Sequence, residues 1–138
     1  MKISAKIDYA CRALLELSLH WPNQEPLQVE AIAGRQKIPL KFLTQILIHL
    51  KQVGYVESVR GKKGGYLLRK LPKEIKLGDI VENFNGEAGN TREEKSNPIF
   101  SPIWKELRQE LFKTMDKINF EDICNRKRQS DNTLTFQI

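Results

Sequence analysis

Glu57-Ser58-Val59-Arg60-Gly61-Lys62-Lys63-Gly64-Gly65-Tyr66-Leu67-Leu68 sets two short β-prone runs on either side of a turn that is both glycine-rich and cationic. Val56, Val59, Tyr66, Leu67 and Leu68 suit a pleated strand, and Gly61, Gly64 and Gly65 offer the positive φ values that a reversal needs. The stretch reads as a β-hairpin with Arg60, Lys62 and Lys63 at its tip. Taken alone, such a tip is an ordinary solvated turn. Its meaning depends on what feeds into it.

Immediately upstream, Val29, Ile32 and Ala33 mark the inner face of a short helix from about residue 29 to 36, and Lys37-Ile38 makes a turn. Pro39 suits the first turn of a further helix, where its missing N–H costs nothing, and Gly54 closes that helix after Val53. Leu43, Ile46, Leu47 and Leu50 form its packed face. The opposite face carries Lys41, Thr44, Gln45 and Ile48. A glutamine can bond adenine bidentately, a threonine can bond several bases or touch a thymine methyl, and a lysine can reach guanine or phosphate. A helix-turn-helix that runs straight into a basic hairpin is the plan of a winged helix, whose wing touches phosphate beside the groove-reading helix. The expected fold is therefore mainly α with a small β-hairpin wing, and the expected partner is double-stranded DNA.

Charge supports that reading. Of the net +6, residues 1–76 carry +8 and residues 77–138 carry −2, so the positive field belongs to the half that holds the hairpin. No basic helix keeps a broad apolar face for lipid, and no apolar run approaches the roughly 20 residues of a membrane span. Met1-Lys2-Ile3-Ser4 lacks the pattern of a signal peptide, and a cytoplasmic protein is expected.

Outward from the hairpin, Ile3, Ile7, Ala10, Cys11, Leu14 and Leu17 recur at three and four residues and predict a helix with Ser4 as N-cap, stopping at Trp21-Pro22. Asn23-Gln24-Glu25-Pro26 is a polar connector. Beyond the hairpin, Leu77, Ile80, Val81 and Phe84 outline a short covering helix. Residues 85–98 hold no apolar side chain larger than alanine between Gly86 and Asn97 and read as a mobile loop. Ser101 as N-cap and Pro102 then open a helix with Trp104, Leu107, Leu111, Met115 and Ile118 along one seam. The last segment, capped by Asn119 with Phe120, Ile123 and Cys124 apolar, is too short to cover that seam, so a homodimer through the seam is expected. The polar stretch from Arg126 onward is expected to fray. The expected organisation is a winged helix-turn-helix DNA-binding domain over 1–84, the loop over 85–98, a dimerisation helix and C-terminal helix over 99–128, and a tail over 129–138.

Metal and enzyme chemistry find little support. His20 and His49 lack the spacing of a zinc motif, no serine or cysteine is patterned as a nucleophile, and Gly61-Lys62-Lys63-Gly64-Gly65-Tyr66 lacks the ending of a phosphate loop. The two cysteines, Cys11 and Cys124, form no CxxC pair. No enzyme and no cofactor is expected.

Several stretches together resemble the Rrf-two family of bacterial winged-helix transcription regulators over residues 2 to about 124. They are Lys2-Ile3-Ser4 with Tyr9-Ala10, Ile38-Pro39-Leu40-Lys41-Phe42-Leu43, Gln45-Ile46-Leu47, Leu50-Lys51, Gly54-Tyr55-Val56, Ser58-Val59-Arg60-Gly61, Gly64-Gly65-Tyr66-Leu67-Leu68, Ile80-Val81, Trp104 and Ile118-Asn119-Phe120-Glu121-Asp122-Ile123. The resemblance implies homodimeric, sequence-specific DNA binding to a palindromic operator, often repression. Lys41, Thr44, Gln45, Arg60, Lys62, Lys63 and Tyr66 are the candidate DNA contacts. Sensor members of the family hold an iron–sulfur cluster on three cysteines in the loop before the dimerisation helix, and residues 86–103 here contain none. The chain resembles the branch without that cysteine loop. Asp8, where one branch supplies an acidic ligand, and Cys11 and Cys124 are the atypical candidates for a cluster or a redox switch. The alternative to direct sensing is regulation through a protein partner.

Overall fold

The computed structural model describes residues 2–85 and 97–137, with the side chains of 134–137 outside the description. Its elements are α1 (Ala5–Leu19), α2 (Val29–Gln36), α3 (Leu40–Gln52), β1 (Val56–Val59), β2 (Gly65–Leu68), a 3₁₀ turn (Pro72–Glu74), α4 (Leu77–Phe84), α5 (Phe100–Met115) and α6 (Phe120–Gln137). Most of the loop expected over 85–98 lies outside the described residues.

Ser4 caps α1 by accepting from the Ile7 amide at 3.2 Å, as the sequence predicts. The helix buries Ile7, Ala10, Ala13, Leu14 and Leu17 and packs against α2, α3, α4, α6 and β2. Ile3, counted with the apolar face in the sequence, precedes the helix and stays exposed. Glu16 is buried as well, and Gln36 Nε2 donates to it at 2.8 Å, which ties α1 to α2 through a satisfied polar contact. Between α2 and α3 the chain reverses at Lys37, which takes left-handed φ 54° and lets Ile38 donate to Ala33 O at 3.0 Å. Gly54, at φ +88°, ends α3 and lets Tyr55 donate back to Leu50 O at 2.9 Å.

The hairpin pairs Val56 with Leu68 and Val59 with Gly65 in antiparallel register. Gly61 and Gly65 adopt positive φ; Gly64 does not. Its constraint is space, because a Cβ there would run into the Val59 carbonyl. β2 is also paired on its other side, since Leu27 donates to Tyr66 O at 2.9 Å and Tyr66 donates to Leu27 O at 2.8 Å. The connector before α2 thus supplies a one-residue third strand that no periodicity announces.

Two boundaries differ from the sequence reading. α5 starts at Phe100, one residue before the expected cap at Ser101, because Asn97 Oδ1 accepts from the Ile99 amide at 2.8 Å and Asn97 O from the Ser101 amide at 2.8 Å. Pro102 then falls in the first turn, where an amide would lack an intrahelical partner anyway. α6 does not end near residue 128 with a frayed tail; it continues to Gln137. A reciprocal cap starts it, Asp122 N donating to Asn119 Oδ1 at 2.9 Å and Asn119 N to Asp122 Oδ2 at 3.2 Å, and no Gly or Pro follows to stop it.

The C-terminal elements share the core of the N-terminal ones. Met115 and Phe120 are buried in one cluster with Leu14, Leu47, Ile75 and Ile80. Phe120 N donates to Ile75 O at 3.0 Å and Leu77 N to Ile118 O at 2.8 Å, so backbone pairing joins the two halves. Phe120→Ala should therefore cost about 3–5 kcal/mol, read as a loss of unfolding free energy in urea, and a loss below about 1 kcal/mol would show that α6 docks without it.

Cys11 lies half-buried on α1, packed against the core. Burial, and then the neighbouring Asp8 carboxylate, push its thiol from 9.0 up to about 11. The folded thiol thus keeps its proton longer than the unfolded one. The stability linked to it is fully present below pH 9.0 and is lost as pH rises towards 11. Over that range the urea midpoint of the parent protein should fall more steeply than that of Cys11→Ala; parallel slopes would remove Cys11 from the linkage.

Candidate nucleic-acid interface

α3 is amphipathic in the sense its sequence requires. Leu43, Ile46, Leu47 and Leu50 are buried, while Lys41, Thr44, Gln45 and Ile48 lie on the exposed face. The Thr44 hydroxyl donates to Leu40 O at 2.9 Å, which leaves its oxygen as an acceptor. At the helix start Phe42, half-exposed, stacks with Tyr9 at 6.3 Å between ring centroids, and the Arg12 guanidinium lies 5.1 Å from the Tyr9 centroid. This cluster, which the sequence reading does not anticipate, joins the N-terminal turn of α3 to α1.

The hairpin tip presents Arg60, Lys62 and Lys63 exposed. Its position relative to α3 is fixed by two contacts. Lys51 Nζ, in the last turn of α3, donates to Ser58 Oγ at 2.7 Å, and Gln28 Nε2, just before α2, donates to Lys62 O at 3.4 Å. Tyr66 differs from the other candidates: its ring is half-buried and packs against the core, and its backbone pairs with Leu27. The structure thus brings Lys41, Thr44, Gln45 and the three tip cations to the surface, and gives Tyr66 a packing role.

The seam of α5 divides. Trp104, Leu107 and Leu111 are exposed, 39%, 56% and 37%, whereas Met115 is buried in the chain's own core and Ile118 is half-buried past the helix end. Met115 turns inward because α5 packs on α4 at that end. The outward stripe instead extends towards the N-terminus through Ile103, Phe100 and Ile99, with Phe100 and Trp104 stacked at 5.8 Å.

The candidate metal donors do not assemble. Asp8 is engaged by Arg12, whose Nε donates to it at 2.9 Å, and the same guanidinium donates to Gln36 O at 2.7 Å. Cys11 holds its proton, and burial likewise raises the Cys124 thiol. A thiol must lose that proton to ligate. Among the described residues no three His, Cys, Asp or Glu side chains come together around one point. Among the described residues, Asp8, Cys11 and Cys124 therefore form no donor set that fits an iron–sulfur cluster. No helix among the described residues is long and apolar enough to cross a membrane.

The sequence profile of the Rrf2 family, described as iron-dependent transcriptional regulators, matches residues 3–126. A helix-turn-helix-type transcriptional regulator of Synechocystis sp. is 33% identical over 129 residues, spanning 89% of this chain and 87% of that one. The regulator IscR of Pectobacterium carotovorum is 29% identical over 138 residues, spanning 95% and 84%. Among solved structures, T. potens IscR superposes with a TM-score of 0.80 at 28% identity, covering 94% of this chain and 90% of that one. CymR, the global cysteine regulator of B. subtilis, gives 0.79 at 28% identity, covering 91% and 98%. With an exposed helix-turn-helix face held beside a cationic wing, and with this match over most of its length, the chain belongs to the Rrf2 family of winged-helix, DNA-binding transcription regulators.

Proposed function

We propose that the chain acts as a homodimeric, sequence-specific repressor that occupies a two-fold symmetric operator. The observation that carries this reading is the placing of the wing beside α3, joined to it by the Lys51–Ser58 hydrogen bond, with base-reading and phosphate-binding side chains exposed on both. Lys41, Thr44 and Gln45 read base edges in the major groove, and Arg60, Lys62 and Lys63 hold the flanking phosphates. Residues 1–84 carry the DNA contacts and the outward stripe of α5 carries the dimer contacts. Leaving Trp104, Leu107 and Leu111 in water forfeits about 1.5–3 kcal/mol for each side chain that a second copy would bury. A two-fold dimer presents two recognition helices, which a palindromic site matches.

Selection from a randomised duplex library, followed by salt titration on the selected site, tests this. The parent protein should enrich a palindrome. Lys62→Ala with Lys63→Ala should weaken binding to all sequences and flatten the log–log salt slope by about 0.9 for each phosphate no longer neutralised, while Gln45→Ala should lose about 1–3 kcal/mol of discrimination at one base pair. No enriched sequence, or a wing variant that changes the preferred sequence at an unchanged salt slope, would overturn the assigned roles. For the dimer, light scattering at micromolar concentration should give twice the 16.0 kDa chain mass, and Leu107→Glu should return it to one chain. A monomeric mass for the parent protein would overturn the dimer.

A further inference from the structure

A half-open cleft of about 300 Å³ lies between the C-terminal end of α1, the 3₁₀ turn and α6. Its volume is at the lower end of the range for small-molecule sites. Trp21, Leu71 and Pro72 give it apolar walls. Ser18 also lines it, 2% exposed, and its hydroxyl has no hydrogen-bond partner among the described residues. A buried hydroxyl left so is unusual and points to a polar group that belongs beside it. Charges of both signs stand around the cleft: Lys73 from the 3₁₀ turn, Arg128 and Glu121 from α6. Among the described residues no ion pair joins Glu121 to either cation, and Arg128 donates to Asn125 Oδ1 at 3.4 Å. Opposite charges are thus held in one cleft without neutralising each other.

We propose that this cleft binds a small zwitterion of the free α-amino acid class. Arg128 and Lys73 take its carboxylate, Glu121 its ammonium group, and Trp21, Leu71 and Pro72 its side chain, with the Ser18 hydroxyl bonding its polar end. An anion alone would leave Glu121 opposed, and a cation alone would leave Arg128 and Lys73 opposed; a zwitterion satisfies all three. The site also joins parts that matter for DNA binding. Leu71 follows β2 by three residues, and α6 is fixed to the segment before α4 by pairing between Lys76 and Asn119. An occupant bridges the segment that leaves the wing to the C-terminal helix.

Calorimetric titration of the 138-residue chain with each common free amino acid, without DNA, tests the proposal. At least one should bind saturably with one site per chain. Its N-acetyl derivative and its carboxamide should each bind at least about tenfold more weakly, as should the parent amino acid to Arg128→Gln and to Glu121→Gln. Both substituted side chains are exposed, so the fold should survive, which circular dichroism checks. Absence of binding by every amino acid up to millimolar concentration would overturn the proposal. So would binding that both substitutions leave unchanged, or acetate or the N-acetyl derivative binding as well as the parent. The DNA assay above is read separately, so a failed cleft and a failed operator are distinguishable.

Discussion

Burial of α1 on more than one side is the constraint on which the rest of the structure depends. Ala10 and Ala13 are fully buried, and their small side chains let neighbouring helices approach where leucines would hold them apart. Leu14 and Leu17 are buried on the same helix, which meets α2, α3, α4, α6 and β2. A helix that is apolar on several sides must be covered from several directions. That requirement brings α6, remote in sequence, into the same core as the helix-turn-helix.

The second constraint is the tether of the wing. A two-stranded hairpin is marginal on its own in water. Here β2 gains a neighbour at Leu27, and Ser58 accepts from Lys51 of α3. Gly65 permits the first contact, because a Cβ at that position would collide with the Leu27 carbonyl. A glycine that reads as a turn residue is therefore also what allows the sheet to widen. With both tethers in place, the tip cations hold a defined offset from the outer face of α3. A protein that contacts phosphates and base edges at once needs that offset fixed, since phosphate contacts set the register in which bases are read.

Much of this is legible in the chain. The three- and four-residue spacing of Ile7, Ala10, Leu14 and Leu17, of Leu43, Ile46, Leu47 and Leu50, and of Ile80, Val81 and Phe84 each marks a buried face, and each is buried. The exposed positions of α3 follow by exclusion from the same period. The features that the sequence does not announce carry no period. Leu27 pairs through its backbone alone, which leaves no trace in side-chain pattern. Between Asn125 and Thr133 α6 carries no apolar side chain, so this stretch gives no apolar stripe; its persistence comes from its cap, from the absence of breakers and from local pairs such as Lys127 with Asp131 at 2.9 Å. Ser101 is a good cap by residue type, yet the helix already begins at Phe100, with Asn97 bonding the Ile99 amide ahead of it, which no residue preference reveals. At the α5 seam, spacing groups Met115 with Leu111 and Trp104, but the packing of α4 divides that seam between inside and outside.

Because the seam divides in this way, the two halves of the chain are mechanically joined. Met115, Ile118 and Phe120 anchor the turn between α5 and α6 to Ile75 and Leu77, immediately after the segment that leaves the wing. The outward stripe of α5 and the wing are thus connected by a short run of backbone pairing and buried side chains. Close-packed contacts of this kind transmit small displacements because they cannot deform smoothly. The foot of the wing, the 3₁₀ turn and the turn between α5 and α6 therefore share one set of buried contacts around Ile75. The 3₁₀ turn at Pro72–Glu74, which follows the wing in the chain and packs against α6, takes part in the same contacts: its last amide partner, Ile75, is the residue that Phe120 pairs with.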